Sequence, residues 1–286
     1  MLPPMTISHY QFDSPDADVI LLTTEVDCST EFHVHKCILA AASPFFHDMF
    51  SLPQGDDDKH NVPIIPVSES SKALDTVLRF VYPVSPPIID NLDDLSAALS
   101  VAIKYDLASV ILTLRKFLIS PRFLQTSPVR VYAIACHYEF EEEARVASRS
   151  TLNVNLLDAK PVAELRYMTG YDYHRLLQLH RWRTDGLLQL LPEIPENLKC
   201  MQCNGSTFTM NDAPRWWTEW VKRAREEMRL RPTTDVIFGL DFLFGVAQKA
   251  GCTRCPGSVL DSWRFLKSLK EDMDRVPGCV GEEIPC

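Results

Sequence analysis

FHVHKCILAAASPFFHDMF, residues 32–50, begins as the end of a strand, turns at His35-Lys36 and continues as two short helical segments broken at Ser43-Pro44. Proline suits the first turn of a helix, and the serine before it can cap the new amide ends. Phe32, Val34, Ile38, Leu39, Phe46, Met49 and Phe50 offer more apolar surface than one isolated helical hairpin can bury. Other elements must therefore pack on both sides of it.

The flanking sequence supplies them. Residues 18–24, opening with Asp18, read as a nearly all-apolar strand buried on both faces. Residues 25–30 form a polar turn, and residues 31–34 are the partner strand. Residues 62–67 make a short strand whose Pro63 and Pro66 confine it to a sheet edge, where another strand can be accepted. Ser68 is placed to cap a helix running to about Tyr82, with Ala73, Leu74, Val77, Leu78 and Val81 on one stripe. After a proline-rich loop, Asn91 caps a helix with Leu95, Leu99, Ala102 and Ile103 inward, and residues 108–120 give another. A small mixed sheet with helices gathered at one end is an α+β layout.

These residues carry a resemblance. Residues 32–50, the strand opened by Asp18 and the helix from Leu74 to Tyr82 together resemble the BTB/POZ domain, over roughly residues 15–121. One departure is Pro83-Val84, where many such domains have Thr-Gly after the tyrosine. The order of segments further on is similar to BTB proteins abundant in mushroom-forming fungi. The resemblance implies an interaction scaffold that forms a homodimer and recruits a protein partner, bridging substrates to a cullin-type ubiquitin ligase. It implies a charged pocket of the dimer at Asp18 and Lys36, beside His35, and a contact near Phe45, Phe46, Met49 and Phe50. Read without it, Asp18 and Lys36 are surface charges and the aromatics are core; core and interface adjoin here, so both roles are open. Residues 1–14 are a tail or single pairing strand, too short and proline-broken to supply an exchanged N-terminal helix.

From residue 122 strand signals fade. Ser127-Pro128 opens a helix through about His137, residues 140–152 give a second, and residues 156–165 and 171–191 two more. Their order is similar to the BACK region that follows BTB domains in ubiquitin-ligase adaptors, over residues 122–192. His137, His174 and His180 are scattered, as structural or surface histidines are. The clearest linker is residues 192–197, and a helical C-terminal region occupies residues 193–286.

That last region carries Cys200-Met201-Gln202-Cys203-Asn204-Gly205 and Cys252-Thr253-Arg254-Cys255-Pro256-Gly257. A two-residue spacer lets both thiolates of a pair bend around one ion, and a nearby glycine admits the tight turn. Cys200, Cys203, Cys252 and Cys255 together would close a structural zinc site with no position open to substrate. Residues 204–251 between the pairs exceed the usual treble-clef or ribbon spacing, and free thiols or a redox pair are the alternatives. Within the insert, a helix begins near Asp212-Ala213-Pro214 with Trp217, Trp220, Val221, Ala224 and Met228 on one face, and Thr234 caps a second running to Gly251. Ser258 starts a last helix with Leu260, Trp263, Leu266, Leu269 and Met273 inward. Cys28, Cys37, Cys136, Cys279 and Cys286 have no partner spacing; Cys37 and Cys136 read as small core hydrophobes.

At 286 residues the chain holds about two domains and buries roughly three quarters of its unfolded surface without needing disulfides. The N-terminus lacks the basic start and apolar core of a secretory signal, so cytoplasm or nucleus is the expected setting, with no membrane association. Nine cysteines in such a setting point to thiols or metal ligands rather than bridges. A net charge of −9 argues against nucleic acid as a partner, and residues 222–231 contain Glu226 and Glu227 among their basic residues, as a solvated helix face does. The aspartates at 56–58 lack the alternate spacing of a calcium loop. A dimeric transcription regulator is the alternative reading, opposed by the absence of a Cys2His2 finger or a basic recognition helix. No phosphate loop, G-x-S-x-G or H-E-x-x-H occurs, so catalysis is not expected.

Overall fold

The computed structural model describes residues 6–7, 12–25, 29–52, 62–158, 163–192, 198–204 and 212–282. The residue 56–58 loop, Cys28, Gly205, Cys286 and most of the 192–197 linker lie outside them. Two compact units divide the chain, Met1–Phe123 and Leu124–Cys286.

The first unit is built on a sheet of order β1-β3-β2-β4, with β1 Thr6–Ile7, β2 Val19–Thr23, β3 Thr30–Val34 and β4 Ile64–Val67. β2 and β3 run antiparallel, Val19 opposite Val34 and Leu21 opposite Phe32. β4 lies parallel to β2 at the sheet edge, where Pro66 costs no ladder bond. β3 alternates buried and half-buried residues, so one of its faces is core.

After β3 come α1 Lys36–Ala42 and α2 Pro44–Ser51. Ser43 separates them: its hydroxyl accepts from the Phe46 amide (3.1 Å) and donates to the Tyr105 carbonyl. One buried side chain thereby stops α1, starts α2 and fastens both to the helices that follow. Those are α3 Ser71–Val81, α4 Leu92–Lys104 and α5 Ala108–Leu118. The core joins Leu21, Phe32, Leu39 and Phe46 to Leu74, Val77, Leu95, Leu99 and Leu114, all buried.

Two helix details differ from the sequence expectation. α3 is capped by Ser70, not Ser68, its oxygen accepting from the Ala73 amide. Residues 68 and 69 are held elsewhere: Glu69 accepts from Tyr105 (2.6 Å) and Lys104, and Lys104 also donates to Ser68. Ile103, expected inward, is exposed, because the face of α4 that packs runs through Ala98, Leu99, Val101 and Ala102.

The division between the units falls within α6 Pro121–Thr126. In the second unit α7 Pro128–His137, α8 Glu141–Thr151, a single 3-10 turn Ala163–Arg166 and α9 Gly170–Gln189 are followed by α10 Arg215–Leu230, α11 Leu240–Lys249, α12 Cys255–Asp261 and α13 Trp263–Asp274. One buried cluster there gathers Trp216, Trp217, Trp220, Met228, Leu243, Val259, Leu266 and Met273. Thr234 does not cap α11. Its hydroxyl is engaged by Asp274 and Lys270, and Gly239 stands at the helix start. The single helix expected from Ser258 is two helices broken at Ser262, which turns Leu260 and Trp263 outward.

His180, on α9, is half-buried with Nε2 3.1 Å from the Thr151 hydroxyl, and desolvation by its surroundings lowers its pKa to about 4. A histidine kept neutral by the fold stabilises it above its unfolded pKa of about 6.5, and that stability is lost as pH falls toward the folded value. Acidification from pH 6.5 to 4 is therefore expected to cost the second unit about 3 kcal/mol through this residue. His180→Gln, uncharged throughout, should lose correspondingly less in urea titrations at the two pH values.

Candidate functional site

The beginning of α1 is where strand, helix and distant chain meet. Its first amides have no partner within the helix. The Lys36 N–H donates to the Asp18 carboxylate (2.7 Å), and the His35 N–H donates to the Tyr82 hydroxyl (2.7 Å). Tyr82 stands at the C-terminal end of α3, where burial pushes its pKa up to about 12, so it remains a neutral phenol here. Its ring lies edge-on to Phe12, 5.3 Å away, and Phe12 in turn packs on Phe32. The aspartate opening β2 and the tyrosine closing α3 thus work as one cap. Tyr82→Phe leaves the half-buried His35 amide without its acceptor and is expected to lower stability of the first unit by about 1–2 kcal/mol, read from its urea midpoint.

The residues singled out by sequence surround this cap. Asp18 is exposed, His35 and Lys36 are half-buried, and His35 Nε2 lies 3.4 Å from Asp16. Lys36 Nζ sits 5.9 Å from the Phe50 ring centroid. On α2, Phe46 is buried and stacks on Tyr105 at 4.9 Å, whereas Phe45 is 43% exposed and Met49 and Phe50 are half-buried. Cys37, expected in the core, is exposed, because Leu39 fills the inward position of α1.

The second constellation lies in the second unit. The sulfurs of Cys200, Cys203, Cys252 and Cys255 all lie within 4.8 Å of one another. Pairing runs across the two motifs: Cys200 to Cys252 is 3.6 Å and Cys203 to Cys255 is 3.9 Å. A disulfide needs about 2.05 Å, so these are thiols. Four sulfurs at the ~2.3 Å bond length of zinc form a tetrahedron with edges of about 3.8 Å. The observed separations suit a metal ion of that kind.

The surroundings prepare the sulfurs for it. Asn204, which the motif's spacing gives no role, is buried and organises the first turn. Its side-chain oxygen accepts from the Cys200 amide, and its NH2 donates to the Leu198 and Asp212 carbonyls (both 2.9 Å). The signal was an asparagine directly after the second cysteine, a residue suited to turns. The Arg215 amide donates to Cys203 Sγ (3.4 Å). Burial opposes ionisation of Cys252, but the Arg254 amide and the neighbouring thiols outweigh it and bring its pKa to about 7. Burial pushes Cys203 and Cys255 up. Gly257 is not needed for a second tight turn. Cys255 and Pro256 open α12 directly and Gly257 is helical.

Unit one, with its mixed sheet, capped helical hairpin and clustered helices, defines an α+β protein-interaction domain. Residues 11–122 match the family model of the BTB/POZ domain, and this part of the chain is a BTB/POZ domain. Such domains mediate protein–protein interactions and often homodimerise. No curated protein matches the chain, and the narrower likeness to fungal BTB proteins gains no support. Among the described residues, no helix is long and apolar enough to cross a membrane.

Proposed function

We propose that the chain is a protein-interaction scaffold whose BTB/POZ domain forms a homodimer while the helical second unit holds a partner. The reading is carried by the α1–α2 surface of a matched BTB/POZ domain. There Phe45 is 43% exposed and Cys37 and Ala41 face outward, beside the charged trio Asp18, His35 and Lys36. Phe45, Met49 and Phe50 supply apolar contact, and Phe46 backs them from beneath. Residues 122–192 act as a BACK-like spacer, and the assembly serves as a substrate adaptor for a cullin-type ubiquitin ligase in cytoplasm or nucleus. The four cysteines hold a structural zinc ion, which supplies cross-linking and no catalysis.

Phe45→Glu tests the interface. Because the ring is half outside the core, the variant should fold, with its melting temperature little changed. Burying an unpaired carboxylate in an apolar contact should weaken self-association at least about 100-fold in sedimentation equilibrium. Wild-type association by Phe45→Glu would remove this surface from the account. Mixing the chain with a purified cullin N-terminal domain tests the adaptor role separately; no complex at tens of micromolar would remove that role alone.

A further inference from the structure

The three tryptophans of α10 are all buried, but their indole N–H groups are not treated alike. Trp216 donates to the Ser258 hydroxyl (2.9 Å) and Trp220 to the Ile237 carbonyl (2.8 Å). Among the described residues, Trp217 Nε1 has no acceptor. A buried donor without a partner is rare enough in a native fold to require a reason. Trp217 also borders a groove of about 580 Å³ running along this helix, with Val221 as its other apolar wall.

The charges of α10 are sorted around that groove. Arg223 is paired with Glu219 and Arg231 with Glu227, at 2.6 and 2.5 Å. Lys222, Arg225 and Arg229 line the groove, exposed, and none has a hydrogen bond or ion pair with a described residue. Glu226 is the one carboxylate among the lining residues. In a chain of net charge −9, this stripe is locally positive beside an unused donor.

We propose that the groove binds an acidic peptide segment of a partner protein. Its carboxylates would meet Lys222, Arg225 and Arg229, and one of its oxygens would accept the Trp217 N–H. The spacing suits alternate acids on an extended peptide. Along the helix axis Lys222 to Arg225 is about 5 Å and Arg225 to Arg229 about 6 Å, against about 6.6 Å between alternate residues of a strand. Nucleic acid fits less well. Glu226 interrupts the cations a phosphate chain would follow. This deepens the scaffold reading by naming a partner chemistry, yet it stands on the second unit alone.

The test is fluorescence anisotropy of the full chain with a labelled Glu-Ser repeat peptide, against a Lys-Ser repeat of equal length and a single-stranded oligonucleotide. The acidic peptide should bind, and removing three charge-assisted contacts in K222Q/R225Q/R229Q should weaken it at least about 30-fold. Trp217→Phe, which keeps the ring stack and removes the donor, should weaken it about 3- to 10-fold. Arg223→Gln, outside the groove, should change it less than about 2-fold. Undiminished binding by the triple variant, no binding by the parent chain, or equal binding of the Lys-Ser peptide or the oligonucleotide overturns the proposal. Sedimentation of the same samples keeps the readings apart, because the triple variant should retain the parent's subunit number whichever way the peptide result falls.

Discussion

Replacing Cys255 with serine is expected to destabilise the second unit by roughly 4 kcal/mol while leaving the BTB/POZ domain unchanged, a size that belongs to loss of a metal site or buried network. Cys255 is fully buried, its sulfur 3.9 Å from Cys203, within a cluster that also contains Cys200, Cys252 and the α10 tryptophans. Structural zinc supplies about 10–16 kcal/mol in finger peptides that lack a core of their own. Here a large apolar cluster remains when the ion is gone, so only part of that energy appears as lost stability. Two controls make the result specific. A strong chelator should destabilise the parent protein about as much as the substitution does, and should add little to the variant. Zinc content, measured on the purified proteins, should fall from one ion per chain to none. A parent protein whose calorimetric melt ignores the chelator would reduce the four thiols to packing.

Trp220→Ala is expected to cost the same unit about 3–5 kcal/mol. Trp220 is inaccessible to solvent, stacks on Trp217 at 4.9 Å and packs against Phe238 at 5.3 Å. Truncation opens a cavity and also leaves the Ile237 carbonyl without its donor. Trp220→Phe fills most of that volume and loses only the donor, so about 1–2 kcal/mol is expected. Urea denaturation followed by far-UV circular dichroism separates the two. Similar costs for both variants would place the energy in the hydrogen bond rather than in the packing.

What could be read from sequence was local. The break at Ser43-Pro44 and the cap at Asn91 are decided within four residues, and both occur as expected. Each Cys-x2-Cys pair was equally visible, since its spacing is its own signal. That the two pairs meet was expected from the helices between them, and the fold bears it out: α10 and α11 bring Cys252 back to Cys200. The caps show the limit. Ser68 and Ser70 are equivalent by propensity, and the choice falls to Ser70 because Glu69 turns toward Lys104 and Tyr105, far along the chain. Thr234 was misread for a similar reason: its hydroxyl bonds Asp274 on the last helix. At α1 the deciding groups, Asp18 and Tyr82, approach from different elements, and no spacing rule brings them together. The unused N–H of Trp217 was invisible altogether, because Trp217 and Trp220 on one helix read as one apolar face.

Native mass spectrometry of the purified full chain tests the scaffold account most directly, because one spectrum reports subunit number and bound metal together. The account predicts a dimer of about 65 kDa, twice the 32.5 kDa chain, carrying one zinc ion per subunit at micromolar protein. A metal-free monomer of 32.5 kDa at that concentration would contradict it on both counts.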